Sequence, residues 1–160
     1  MKVLIAYHSE TGSNSRTAEG LFEKMREKKI DVRVLKVLPK KKFIKPLMGF
    51  SGLFEAKTKL KEDYNISEYD LVVFCGPVWA SKYSPVLRGL IFSNDFNNKK
   101  CFLVSCCYTE AKNALKSMSD DLSSRKAEIV GSKPILVKNS KDKQKLADFA
   151  ESIINECNLN

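Results

Sequence analysis

Lys2-Val3-Leu4-Ile5-Ala6-Tyr7 runs without a break into His8-Ser9-Glu10-Thr11-Gly12-Ser13-Asn14-Ser15, and this junction decides the fold. Val3 to Tyr7 are apolar with no polar alternation. A strand of that kind is covered on both faces, which is the condition of a parallel sheet. Beyond it, hydroxyls at Ser9, Thr11, Ser13 and Ser15 crowd a turn where Gly12 frees the backbone. Ala18, Leu21, Phe22 and Met25 then recur at helical spacing, with charges between them. The order is strand, short polar turn, amphipathic helix.

The same alternation continues along the chain. Leu71 to Cys75 and Cys101 to Cys106 are further near-continuous apolar runs. Val32 and Val34 alternate more loosely, so 31–37 reads as a strand nearer an edge. Ile135-Leu136-Val137 is the fifth strand, and Pro134 before it favours an edge or a strand start. Ser84-Pro85 is an N-cap followed by proline at the first helical position, ahead of Leu87, Leu90 and Ile91. Ala111, Leu115, Met118 and Leu122 make a third helical stripe, with Thr109 as its expected cap. Ser140 is the expected cap of the last helix, where Leu146, Phe149, Ala150, Ile153 and Ile154 face inward. This order predicts an open, doubly wound α/β sheet with right-handed crossovers and helices on both faces. With no repeat, low-complexity tract or Gly/Ser linker, residues 1–160 read as one domain, with a lysine-rich insertion at 39–63. Ligands of such sheets sit beyond the carboxyl ends of the strands, where the strand order reverses. The loops after Tyr7, Cys75 and Cys106 are therefore the places to look for function.

Composition narrows the class. The 160 residues are 43% hydrophobic with 7 Gly and 5 Pro, which excludes disordered and collagen-like chains. No apolar run reaches the ~18 residues of a membrane helix, and the opening run is too short for a secretory signal. Five cysteines, an odd number in a chain of this length, read as reduced thiols of the cytoplasm. The formal charge of +9 concerns partners rather than fold.

Free N–H groups at a helix N-terminus, with hydroxyl donors, bind a phosphate without a lysine. A helix cap is the competing use of the same residues, but one Ser or Thr suffices for that. Other chemistries of this topology lack their residues. A P-loop needs Gly-Lys-Ser/Thr at the end of the first loop. A receiver domain needs a carboxylate where Cys75-Gly76-Pro77 stands, and a dinucleotide turn needs two more glycines around Gly12. In the second loop, Gly76 and Pro77 are expected to turn the chain sharply out of its strand. Val78 to Ser81 then present backbone groups above the sheet, and Trp79, the single tryptophan, offers a face for a flat ring.

Ser9-Glu10-Thr11-Gly12-Ser13-Asn14 resembles the phosphate loop of flavodoxins, Ser/Thr-x-Thr-Gly-Asn-Thr. Tyr69-Asp70-Leu71-Val72-Val73-Phe74-Cys75-Gly76-Pro77-Val78-Trp79-Ala80 is similar to the matching segment of short flavodoxin-like proteins. The resemblance covers essentially the whole chain and implies a five-stranded sheet of order 2-1-3-4-5. It also implies FMN, with the phosphate in Ser9, Glu10, Thr11, Gly12, Ser13, Asn14 and Ser15. The flavin ring would lie between Pro77, Val78, Trp79, Ala80, Ser81 and Cys106, Cys107, Tyr108. Two departures stand out: Ser13 and Asn14 replace the usual Asn-Thr, with Ser15 offering a hydroxyl one residue later. The third loop also lacks the Asp-x-x-x-Tyr pattern of longer flavodoxins. The implied function is an electron carrier between redox partner proteins. The alternative is an NAD(P)H-dependent FMN or quinone reductase, for which no nicotinamide pocket is recognisable. A flavin-free interaction module is disfavoured by the intact phosphate loop.

His8, the one histidine, is expected as a satisfied buried ring, and Cys106 and Cys107 as small buried residues at a strand end. Lys40, Lys41, Lys42 and Lys45 precede an apolar stretch, Leu47 to Phe54, read as a short helix; Lys57, Lys59 and Lys61 follow. The Lys40–Lys61 region is either a solvated face or a docking surface for an acidic, ferredoxin-like partner. Nucleic acid is not expected, because the basic residues are lysines without arginine. A monomer or weak dimer is expected.

Overall fold

The computed structural model describes residues 1–41 and 58–159. β1 (Lys2–Tyr7), α1 (Ser13–Glu27) and β2 (Asp31–Lys36) come first. β3 (Leu71–Trp79), a two-residue β4 (Lys82–Tyr83) and α2 (Pro85–Ser93) follow. β5 (Lys100–Cys107), α3 (Lys112–Ser124), β6 (Glu128–Leu136) and α4 (Lys143–Glu156) complete the described chain. Five strands run parallel in the order β2-β1-β3-β5-β6, and β4 pairs antiparallel with the end of β3. This is the doubly wound sheet expected from the sequence, with β4 added. The chain winds one way from β1 to β2 and the other from β3 to β6, so strand order reverses between β1 and β3.

The unbroken apolar runs are explained by two cores. Leu4, Ala6, Val72, Phe74, Cys101 and Leu103 pack on one face against Val86, Leu87 and Leu90 of α2 and Leu115, Met118 and Leu122 of α3. Val3, Ile5, Leu71, Val73, Phe102 and Val104 pack on the other against Leu21 and Met25 of α1 and Ile153 and Ile154 of α4. Successive strand residues point to opposite faces, so every position of a doubly covered strand is apolar. Each large side chain fully buried in this way contributes about 1.5–3 kcal/mol.

Three local expectations are corrected. The chain does not leave the sheet at Gly76-Pro77; β3 continues to Trp79 and turns back through Ala80-Ser81 into β4. Cys75 O accepts the His8 N–H at 3.1 Å, so the backbone of Pro77, two residues on, faces the same flank. The ladder to β1 has already ended there at Tyr7–Cys75, and a proline forfeits no ladder bond. Ala111, not Thr109, is the N-cap of α3 and supplies no side-chain cap. Asp142, not Ser140, caps α4, accepting the Lys145 N–H at 3.1 Å. Ser140 lies in a 3-10 turn, Asn139–Lys141, and its hydroxyl donates to Val137 O at 2.8 Å. Ser84 does cap α2, accepting the Val86 N–H at 3.2 Å ahead of Pro85.

The flanks of the lysine-rich insertion are joined by an antiparallel bridge between Pro39 and Leu60. Lys40 N–H donates to Lys59 O at 2.8 Å, and Lys61 N–H to Leu38 O at 2.9 Å. Lys42, Lys45, Lys57 and the helix expected over Leu47 to Phe54 lie outside the described residues.

Candidate functional site

The turn from β1 into α1 depends on Gly12, whose φ of 86° is left-handed. An L side chain in that region costs about 1–2 kcal/mol. Gly12 is the N-cap of α1 and therefore offers no side-chain cap. Its own N–H donates to Ser9 Oγ at 3.1 Å. The N–H groups of Ser13, Asn14 and Ser15 have no intrahelical acceptor, so the turn presents a cluster of donors. No loop hydroxyl is used as a helix cap.

The other loop residues have distinct places. Thr11 and Glu10 are exposed at the lip. Ser13 is buried, and its Oγ accepts from Arg16 Nη2 at 3.2 Å. Asn14 is buried with its Oδ1 receiving the Cys75 thiol at 3.5 Å, which ties the loop to β3. Ser15 Oγ donates to Glu19 Oε1 at 2.9 Å, along the helix.

Across from this loop, Pro77, Val78 and Trp79 form the half-buried end of β3, and Ala80 and Ser81 the exposed hairpin tip. Both tip residues are left-handed, with φ of 46° and 63°. That is the backbone of a tight hairpin turn, where Asn and Gly are the easy choices. The Trp79 ring meets His8 edge-on, with centroids 5.6 Å apart. His8 is the satisfied buried ring expected: its Nδ1 lies 2.7 Å from Ser84 Oγ and its Nε2 3.0 Å from Glu10 Oε1. The Glu10 carboxylate can only accept, so in the neutral ring Nε2–H donates to Glu10 and Nδ1 accepts from the Ser84 hydroxyl. Burial lowers the His8 pKa against the opposing pull of Glu10.

Cys106 and Cys107 are buried at the end of β5, as expected, and burial raises the pKa of both thiols. Tyr108, just beyond, is 80% exposed. The registers Tyr7–Cys75 and Pro77–Cys106 set the ends of β1, β3 and β5 side by side, so the first two motifs and Cys106 meet at one edge of the sheet. A hollow of about 670 Å³ lies instead among Tyr69, Asp70, Phe96 and Lys99, near the opposite ends of these strands.

Arg16 is the residue that sequence reasoning passed over. It is half-buried one turn into α1, its guanidinium folded back on Ser13, and its Nε is buried with no acceptor. The available signal was a basic residue four positions after Gly12 in a helix with no acid in its first turn. Among the described residues, no group of three His, Cys, Asp or Glu could hold a metal ion, and no helix is long and apolar enough to cross a membrane.

No protein-family model matches the chain, and no curated protein matches it. Solved structures do. A protein from Bacteroides uniformis is similar with a TM-score of 0.74 at 18% identity, over 94% of this chain and 97% of that one. A flavoprotein from Lactobacillus acidophilus, in complex with FMN, gives 0.69 at 14% identity, over 83% and 92%. Oxidised flavodoxin 2 from Bacillus cereus gives 0.64 at 17%, over 98% and 99%. The fold is flavodoxin-like. In this flavodoxin-like sheet the 9–15 turn and the end of β3 flank the reversal of strand order, the place where open α/β sheets hold ligands.

Proposed function

We propose that the chain binds FMN and serves as an electron-transfer flavoprotein. The observation that carries this reading is the left-handed Gly12 N-cap with no side-chain cap, which leaves the N–H groups of Ser13, Asn14 and Ser15 without helix acceptors at the head of α1. Ser9, Glu10, Thr11, Gly12, Ser13, Asn14 and Ser15 hold the phosphate. Buried Ser13 and Asn14 contribute backbone N–H groups, and Thr11 a hydroxyl from the lip. Pro77, Val78, Trp79, Ala80 and Ser81 line one side of the flavin ring, and Cys106, Cys107 and Tyr108 the other. FMN held there would supply one- and two-electron chemistry. The chain positions the ring, stacks Trp79 on it and keeps water from its buried side. Raised thiol pKa values keep Cys106 and Cys107 uncharged beside it.

Titration of the apoprotein with FMN and riboflavin tests the cradle. FMN fluorescence is quenched by the indole, and FMN binds more tightly than riboflavin. Ser9→Ala with Thr11→Ala weakens FMN by about thirtyfold, at about 1 kcal/mol for each of the two lost hydrogen bonds, and leaves riboflavin nearly unchanged. Equal affinity of the wild type for both flavins rejects the cradle. As a carrier, the protein is reduced slowly by NADH or NADPH alone and quickly by dithionite. Rapid bleaching by a nicotinamide nucleotide makes it a reductase instead.

A further inference from the structure

Arg16 is a cation where a helix favours anions. In the opening turn of α1 the aligned peptide dipoles leave partial positive charge. No acidic residue stands in that turn. The guanidinium nevertheless folds back toward it: Nη2 donates to Ser13 Oγ at 3.2 Å, and a Cβ at Gly12 would lie 3.3 Å from Nη1. Its Nε is buried with no acceptor. The carboxylates that flank it in sequence are engaged by other residues, Glu10 with His8 and Glu19 with Ser15. Among the described residues, no ion pair involves Arg16.

We propose that Arg16 sets the ligand specificity of this site, binding the phosphate dianion jointly with the free N–H groups of residues 13–15. A planar guanidinium fork suits phosphate oxygens, and an anion between it and the helix end cancels the repulsion of the two positive groups. The inference rests on the phosphate-cradle reading and adds a selection by charge. Hydroxyls and backbone donors alone recognise phosphate oxygens; Arg16 makes the site demand negative charge and makes binding sensitive to salt.

The test compares wild-type, Arg16→Gln and Arg16→Lys apoproteins by FMN and riboflavin titration at low and high salt, with the melting temperature of each. In Arg16→Gln the FMN affinity falls about tenfold or more, the size of one charge-assisted hydrogen bond. Riboflavin affinity stays within about twofold, as expected for a neutral ligand that lacks the dianion. The salt dependence of FMN binding flattens, and the apoprotein melts no lower than wild type, since a cation has left a positive helix end. Arg16→Lys is intermediate, keeping charge without the fork. Loss of affinity for both flavins with a lowered melting temperature overturns the proposal in favour of a structural role. An unchanged FMN-to-riboflavin ratio in Arg16→Gln overturns it while the cradle stands. A wild type that does not prefer FMN overturns both.

Discussion

His8 illustrates how one residue couples the loops to pH. Burial opposes its charged form, and Lys36 adds to that, whereas Glu10 favours the charge; the net effect is a lowered pKa. The unfolded chain therefore takes up a proton near the ordinary value of 6.5, before the native protein does. Stability is full above that pH and falls as pH drops from there toward the lower native value. The urea midpoint of the apoprotein is expected to fall between about pH 7 and 5.5, at no more than about 1.4 kcal/mol per pH unit for one group. His8→Gln flattens this slope. An identical slope in the variant would assign the acid sensitivity elsewhere, but the salt-bridged Glu68 and the capping Asp142 have lowered pKa values and titrate only further down. The burial of His8 was legible from its place after an apolar strand. Its partner Ser84, 76 residues away, was not, because spacing along a chain carries no contact of that range.

Close approach governs the elements. A Cβ on Gly89 of α2 would come within 2.5 Å of Thr58 O and 3.1 Å of Leu60 Cδ2. The first neighbour is backbone and cannot swing aside. Gly89→Ala is expected to lower stability by about 1–3 kcal/mol, the usual cost of overpacking, and to expose the Thr58 and Lys61 amides to hydrogen exchange. Protection of those amides equal to wild type would show that the segment docks independently of α2. Strand positions were legible because double coverage makes their sequences apolar throughout. Element ends were not. β3 outran its apolar core because Pro77 falls where β1 has ended, a fact about the neighbouring strand. β4 has two residues, too few for any period. Ser140 was misplaced because Asn139, Ser140 and Asp142 crowd one loop, and Thr109 because α3 starts two residues later, after Ala111, with no side-chain cap at all.

On the scale of the whole molecule, charge is the unspent feature. Lys40, Lys41, Lys59 and Lys61 are exposed, and the Pro39–Leu60 bridge gathers them. Replacing all four by Gln is expected to slow electron transfer to an acidic partner at low salt and to flatten the salt dependence, over a Debye length of ~8–10 Å. On the proposed reading FMN affinity stays nearly constant, because the groups assigned to the phosphate are local to residues 9–16 and none of these lysines is among them. A variant tracking wild type at every ionic strength would make these lysines ordinary solvated surface. The doubly wound order was legible from the alternation of runs; the pairing of the two lysine groups was not, since nothing between them marks a bridge. The same order bears on synthesis. β1 lies between β2 and β3, so during translation one edge of an apolar strand waits until residues 71–79 emerge. At about 5–20 residues per second that wait lasts a few seconds. A ribosome pausing after β2 would hold out an unpaired, wholly apolar edge, and chaperone demand would be set by codon speed over that interval.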